Sequence, residues 1–477
     1  RMNETTKQWK TEADRNPLGT APVGKLLLQF AVPSVVAMLV NSLYNIVDQI
    51  FIGNGVGYLG IGATTIAFTI TIISLSIALL IGNGGSALAA IRLGENQKEE
   101  AEKILGNSFV LLLVSSVAFA VLGLIFLEPM LRFFGSSENI LPYAMDYSSV
   151  ILIGIPFVTI GTGLNNFIRT DGSPKMAMVS MLVGAVLNTI LDPIFIFPLG
   201  MGVRGAAIAT VISQVVSFAV TLYYFARKSN IKLRFKMMRI RWNRTRSLIA
   251  IGVSSCVTQL GNMILQIVLN NSLGYYGDLA GIGADITIPA MGIVFKLNGI
   301  LISILVGISA GAQPILGFNK GAKHYHRIRK TYLLEAVLAT GVAILGWLFA
   351  ICVPELAVSL FGGGDAAFTD FAAKCMRIFL MGVFCAGFQI VSANYFQATG
   401  QPLKATILSM SRQILLLIPL ILILPTFFGL EGILYAGPVA DVLAAVIVSF
   451  FIVHELRHLD RKAQKQAARP EQQEQAG

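Results

Sequence analysis

Long apolar runs, broken at intervals by Gly, Pro or clustered charge, dominate the chain. Against the roughly 20 apolar residues that cross a bilayer, they predict twelve spans: 25–52, 61–90, 104–127, 141–168, 176–197, 205–225, 248–274, 282–312, 332–353, 371–396, 405–424 and 432–455. No run alternates polar and apolar positions with a period of two. A β-barrel is therefore excluded, and the spans must be helices, whose backbone groups are satisfied within each segment. The predicted fold class is an all-α polytopic membrane protein, with two pseudo-symmetric six-helix lobes around a central cavity.

Charge tests that division. The 477 residues carry 36 Lys and Arg against 25 Asp and Glu, a net +11, which in a soluble chain would suggest nucleic acid. With both termini placed inside, 30 of the 36 cations fall in inner loops and tails, and only Arg132, Arg204, Lys374 and Arg377 in outer loops. The positive balance is thus membrane topology, and no nucleic-acid partner is expected. Only 13% of residues are charged and 55% are hydrophobic, too few charges for an ordinary soluble enzyme. Residues 226–247 hold nine cations and no acid, and read as an inter-lobe linker lying on anionic headgroups. The expected organisation is a cytoplasmic tail at 1–24, an N-lobe at 25–225, the basic linker at 226–247, a C-lobe at 248–455 and a second cytoplasmic tail at 456–477. The polar opening residues predict no removable signal peptide. Cys256, Cys352, Cys375 and Cys385 have no CxxC spacing, so neither a disulfide framework nor a metal site is signalled.

The two halves match each other. At an offset of 221, Val32, Val36, Asn41, Gly53, Gly60, Ile61, Gly62 and Ala63 meet identical residues from Val253 to Ala284. At an offset of 223, Gly84, Ser86, Ala87, Ala89, Leu93, Gly94 and Asn96 meet identical residues from Gly307 to Asn319, and at 228 Asn166, Gly172, Pro174 and Ala177 meet Asn394, Gly400, Pro402 and Ala405. Because six is even, both halves enter the membrane from the same side and are related by an axis along its normal. Two such lobes that rock about a cavity are a transporter architecture.

Particular motifs sharpen this. Asp48-x-x-x-x-Gly53, Asn188-x-x-x-Asp192-Pro193, the paired loops Arg169-Thr-Asp-Gly-Ser-Pro174 and Ala398-Thr-Gly-Gln-Pro402, Gln313 to Ala322 and Arg412 to Pro419 together resemble the MATE (multidrug and toxic compound extrusion) family, in its prokaryotic DinF-type and MepA-type branch. The likeness covers nearly the whole chain. It implies secondary active efflux of amphiphilic, often cationic, drugs or dyes in exchange for protons or sodium, with no other cofactor. It also implies that Pro33, on the helix of Asp48, lets that helix bend when the aspartate changes protonation. The expected protein is a monomer in a bacterial inner membrane, with both termini cytoplasmic.

The ionisable residues lead to a similar place, because an acid in hydrocarbon costs several kcal/mol and persists where it works or is paired. Asp48 lies about 35 Å along an ascending helix from Lys25, at 1.5 Å per residue. Asp192 is 17 residues beyond Lys175, with Asn188 one turn below it on the same face. Two carboxyls sharing a dry site cannot both ionise freely, which suits proton uptake and release. Their oxygens suit sodium equally. Thr210, at matching depth, joins the predicted coupling set on depth and family resemblance, and Asn166 is a further candidate, with helix packing as the alternative.

The C-lobe carries Lys296, Arg412 and Asp441 within spans. Arg412 and Asp441 both fall near mid-membrane and are expected to pair. Lys296 either lines the cavity or finds an acid on another helix. Where one branch of the family places acids, this chain has Asn262, Gln266 and Gln389, which favours coupling through the N-lobe. A lipid-linked oligosaccharide flippase of related fold is an alternative, though such proteins usually carry more helices. A polytopic membrane enzyme is less favoured: the four histidines, His324, His326, His454 and His458, lie in cytoplasmic segments, and no HExxH motif occurs.

Overall fold

The computed structural model describes residues 16–136, 138–359 and 366–474. Six helices form the N-lobe: α1 (Val23–Val56), α2 (Tyr58–Gly94), α3 (Lys98–Ile125), α4 (Leu141–Thr170), α5 (Pro174–Ile196) and α6 (Gly202–Arg227). The C-lobe repeats them as α7 (Trp242–Leu279), α8 (Ala284–Gly321), α9 (Tyr325–Cys352), α10 in two pieces (Ala366–Phe379 and Ala386–Ala398), α11 beginning at Pro402, and α12 (Leu430–Glu474). Each span is built around an apolar run. Several start on proline at the first helical position, where a missing N–H costs nothing, as Pro174 and Pro402 do.

Backbone detail repeats as well. The loops before α5 and α11 both turn on a glycine in the left-handed region, Gly172 (φ 92°) and Gly400 (φ 72°). Short helices that the hydrophobic pattern does not separate, Leu127–Phe133 and Pro354–Ser359, follow α3 and α9 in the same way.

Three boundaries differ from expectation. The run at 371–396 is not one helix: its pieces are bent by 46°. The break sits where Gly382 packs against Asp441 and Pro438, so closely that an added Cβ would lie 2.7 Å from the Asp441 Cβ. Trp347 Nε1 donates to the Met381 carbonyl freed there, at 2.9 Å. The eleventh span runs Pro402–Met410, then through a π-helical turn at Ser411–Leu417, then on through Ile418–Ile423. The linker is shorter than predicted, since α6 runs to Arg227 and α7 begins at Trp242. It is also pinned to protein. Asp171 Oδ2 accepts from the Asn230 backbone N–H and Oδ1 from that of Ile231, at 2.8 and 2.7 Å, and Asn107 Oδ1 accepts from the Arg241 N–H at 2.9 Å.

The lobes meet where α1 packs on α8 and α2 on α7, with α2 and α8 crossing at one end. Glycines make the approach possible. A Cβ on Gly84 would lie 1.9 Å from the Leu248 carbonyl oxygen, and one on Gly252 would lie 1.7 Å from that of Leu80. Across the pseudo-axis, Cβ atoms on Gly307 and Gly311 would lie 2.6 Å from the Cα atoms of Val35 and Ala31. The α2–α8 crossing is reciprocal: Gly94 faces the Phe318 carbonyl oxygen and Gly321 that of Ile91, both at 1.9 Å from an added Cβ. Asn83 donates to Ser255 Oγ (2.9 Å), Gln313 to Ser86 Oγ (3.3 Å), and Ser42 and Ser303 share a 2.5 Å bond. By helix register, all these contacts lie between mid-span and the face that bears the basic linker. Beyond Ser42 and Ser303 the walls separate: Asn45 and Ile50 of α1 are exposed, as are Asn262 and Gln266 of α7.

Candidate functional site

Asp48 enters the site from α1 and Asp192 from α5, two helices packed along their length. Asp48 is 8% exposed and Asp192 is fully buried. Their carboxyls stand close enough to interact directly. Asn188, one turn before Asp192, donates from Nδ2 to Asp192 Oδ1 and to Thr210 Oγ1 on α6, both at 3.2 Å. Thr210 Oγ1 in turn donates to the Ala206 carbonyl at 3.0 Å. Four predicted residues, Asp48, Asp192, Asn188 and Thr210, therefore converge. Asp48 Oδ1, Asp192 Oδ2 and Asn188 Oδ1 are buried without hydrogen-bond partners. Buried polar atoms are normally paired, and no Lys or Arg forms an ion pair with either acid among the described residues.

Beside this group lies a cavity of about 100 Å³, lined by Asn188 and Thr210 together with Asn41, Tyr44, Gln214 and Ser217. Gln214 Oε1 is likewise buried and unpartnered. Tyr44 and Tyr147 flank the acids closely enough to feel their charge. Tyr44, Tyr147 and Gln214 are absent from the sequence-based set, because tyrosine and glutamine in an apolar run carry no signal that separates a site from ordinary packing.

Asn166 does not belong to this group. It lies one turn from the end of α4 at the basic face, whereas Asp192 lies one turn from the far end of α5. Its Oδ1 accepts from Arg169 at 2.9 Å. Arg169 is 3% exposed, and the amide oxygen gives its guanidinium a polar partner. Pro33 is buried within α1, which continues helically through it to Val56.

In the C-lobe, Arg412 Nε donates to Asp441 Oδ1 at 2.5 Å, the expected pair, with Asp441 1% exposed. Arg412 projects from the π-helical turn of α11, and Gln389 binds the Asp441 carbonyl at 2.6 Å. Irregular backbone at this depth is tolerated where protein buries it or a cavity borders it. Gln413, beside Arg412, donates to Asn262 Oδ1 at 2.5 Å. Lys296 is exposed and forms no ion pair among the described residues.

A further buried acid, outside the predicted positions, lacks any ion-pair partner among the described residues. Glu335 in α9 is fully buried, with neither carboxyl oxygen hydrogen-bonded and Ser309 Oγ its near polar neighbour. Ser108 stands in its place in the N-lobe, counting from the starts of α3 and α9. The signal for Glu335 is plain in the sequence, an acid ten residues into α9.

Two duplicated lobes, a cleft open at one face and an unneutralised acidic pair within one lobe define a polytopic membrane transporter. The chain belongs to the MatE family, whose model matches residues 33–194 and 250–423. It is 27% identical over 442 residues to the multidrug export protein MepA of Staphylococcus haemolyticus, a match covering 91% of this chain and 94% of that one. It is 25% identical over 445 residues to an FAD transporter of Shewanella oneidensis, covering 91% and 95%. Among solved structures, the MATE multidrug transporter DinF-BH superposes with a TM-score of 0.83 at 36% identity, over 90% of this chain and 95% of that one.

Proposed function

We propose that this protein is a secondary active efflux antiporter that exports amphiphilic organic compounds, commonly cations, in exchange for protons by alternating access. The observation that carries the reading is the facing pair Asp48 and Asp192, buried together with no neutralising cation among the described residues. Two carboxyls so placed in low dielectric favour one shared proton over two charges. Export then follows if proton binding and substrate binding compete for the same conformational state, which is the thermodynamic content of coupling.

Sodium is the competing ion. Asn188 Nδ2 donates to Asp192 Oδ1 and Thr210 Oγ1, and the unpartnered oxygens Asp48 Oδ1, Asp192 Oδ2 and Asn188 Oδ1 would suit either ion. The proton is preferred because two close buried carboxyls favour one shared proton. Contacts between the lobes confined to the half bearing the basic linker support a resting state that opens to the other side. With residues 226–247 assigned to the cytoplasm by their nine cations, that state faces outward. The similarity to MepA and DinF-BH supports drug-like substrates.

The deciding experiment is dye efflux from proteoliposomes under an imposed proton gradient and, separately, an imposed sodium gradient. Efflux driven by protons alone is expected. Efflux driven only by sodium would overturn the choice of ion, and efflux driven by neither would overturn antiport.

A further inference from the structure

The substrate cleft has a second electrical pole. On α8, the residues that seal the lobes are Gly311, Gly307 and Ser303, which meet Ala31, Val35 and Ser42 of α1. Seven residues at 100° each fall 20° short of two turns, so Lys296 lies almost directly above Ser303 on that same inter-lobe face, about 10 Å further from the seal. Its neighbours on the stripe are Gly292 and Gly299, and a Cβ on either would meet nothing within 4 Å. The face is therefore closed below Ser303 and open around Lys296. An ammonium aimed at lipid from this depth would be costly. Aimed into an open cleft, it stays solvated and able to bind.

The adjacent wall has the same register. On α7, Leu248, Gly252 and Ser255 meet α2. Asn262 and Gln266 lie within about 20° of Ser255 by the same count and continue that face upward, both exposed. Gln266 is 24 residues from the start of α7 and Lys296 is 25 residues from the end of α8, which places them at one height. Asp48, 25 residues into α1, stands at that height in the other lobe. Among the described residues no acid pairs with Lys296: Asp285, on the same face of α8, is eleven residues earlier, about 16 Å along the axis, and Asp441 is taken by Arg412.

We propose that the C-lobe wall of the cleft binds the anionic group of an amphiphilic substrate, a carboxylate or phosphate, through Lys296, with the carboxamides of Asn262 and Gln266 as neutral hydrogen-bonding neighbours. The inference rests on the efflux reading and extends its substrate class to organic anions and zwitterions. An ammonium is a strong point contact for such groups, whereas a purely cationic dye gains nothing from this wall.

The test measures binding of two fluorescent probes, fluorescein as the anion and ethidium as the cation, to the purified full-length protein in neutral detergent. Lys296→Gln is expected to weaken fluorescein binding about tenfold, the factor set by about 1.4 kcal/mol. Lys296→Arg should restore it to within about threefold, and ethidium binding should hold or tighten in both variants. Competition by phosphatidylglycerol and not phosphatidylcholine would assign the bound group to a lipid phosphate, and absence of competition to a soluble anion. Fluorescein affinity unchanged by Lys296→Gln, no fluorescein binding by the unsubstituted protein, or an equal loss for both probes would overturn the proposal. Ethidium efflux from proteoliposomes of the same preparations separates the two readings. Normal ethidium efflux with Lys296-independent fluorescein binding sinks this inference alone, whereas absent ethidium efflux sinks the efflux reading.

Discussion

Asp48→Asn isolates the proton from the shape of the site. The amide is nearly isosteric, and Asp48 Oδ1 has no hydrogen-bond partner to lose. The fold should therefore tolerate the exchange at a cost within the ~1–3 kcal/mol of one altered buried polar group. Coupling should not survive it. Each pH unit across the membrane supplies about 1.36 kcal/mol per proton, so one-for-one exchange sustains about a tenfold substrate gradient per unit. The variant has no titratable group at that position, and Asp192 then faces a fixed neutral partner that cannot share its proton. Under a gradient of about one pH unit, the steady dye ratio in proteoliposomes should fall from about tenfold towards unity, while dye binding in detergent persists. Asp192→Asn should behave alike, because the two carboxyls act as one unit. A variant Asp48→Asn that still holds a tenfold, gradient-dependent dye ratio would refute the assignment of the coupling proton to this pair.

Four other outcomes follow from the same geometry. Breaking the Arg412–Asp441 pair with Arg412→Met should lower stability by ~3–5 kcal/mol, while the double change Arg412→Met with Asp441→Leu should recover much of that loss, since a lone buried charge costs more than none; thermal unfolding in detergent reads both. Glu335→Gln keeps shape without charge, so wild-type efflux and equal or higher thermal stability are expected, and loss of efflux would place this carboxyl alongside Asp48. Gly252→Ala puts a Cβ 1.7 Å from the Leu80 carbonyl oxygen, overpacking worth ~1–3 kcal/mol; disulfide cross-linking of Asn83→Cys with Ser255→Cys should become at least several-fold less efficient in that background. Asp171→Ala strips the acceptor from the Asn230 and Ile231 N–H groups, so limited proteolysis should cut the linker at 228–241 faster than in the unsubstituted protein.

The spans and the duplication are legible in the sequence because lipid imposes length and apolarity on every crossing, while the loops between crossings must hold Gly, Pro or charge. The break in α10 is not legible in this way. Leu380 to Cys385 is as apolar as its flanks, and the bend depends on Asp441 and Pro438, which come from another helix. Asp48 and Asp192 stand out because acids are rare in such runs, and register arithmetic places them at one height. The same arithmetic applies to Asn166: three residues before Arg169, it belongs to the basic face and not to the acids. Asp171 illustrates the opposite case, a loop motif residue whose work, holding the linker, depends on chain 59 and 60 residues away.

At the reciprocal crossing of α2 and α8, each lobe contributes one glycine to a close backbone approach. Gly94 and Gly321 lie on opposite helices, and each meets the other helix's backbone at the same 1.9 Å from an added Cβ, although the sequence counterpart of Gly94 is Gly317. Away from that crossing the halves differ. Asp48 corresponds to the buried Leu269 at the offset of 221, and Glu335 to Ser108. Two identical lobes could not draw these distinctions, because every acid would appear twice. A single chain is free to carry different charges in its two halves, and here the buried acidic pair lies in one lobe and the exposed Lys296 in the other.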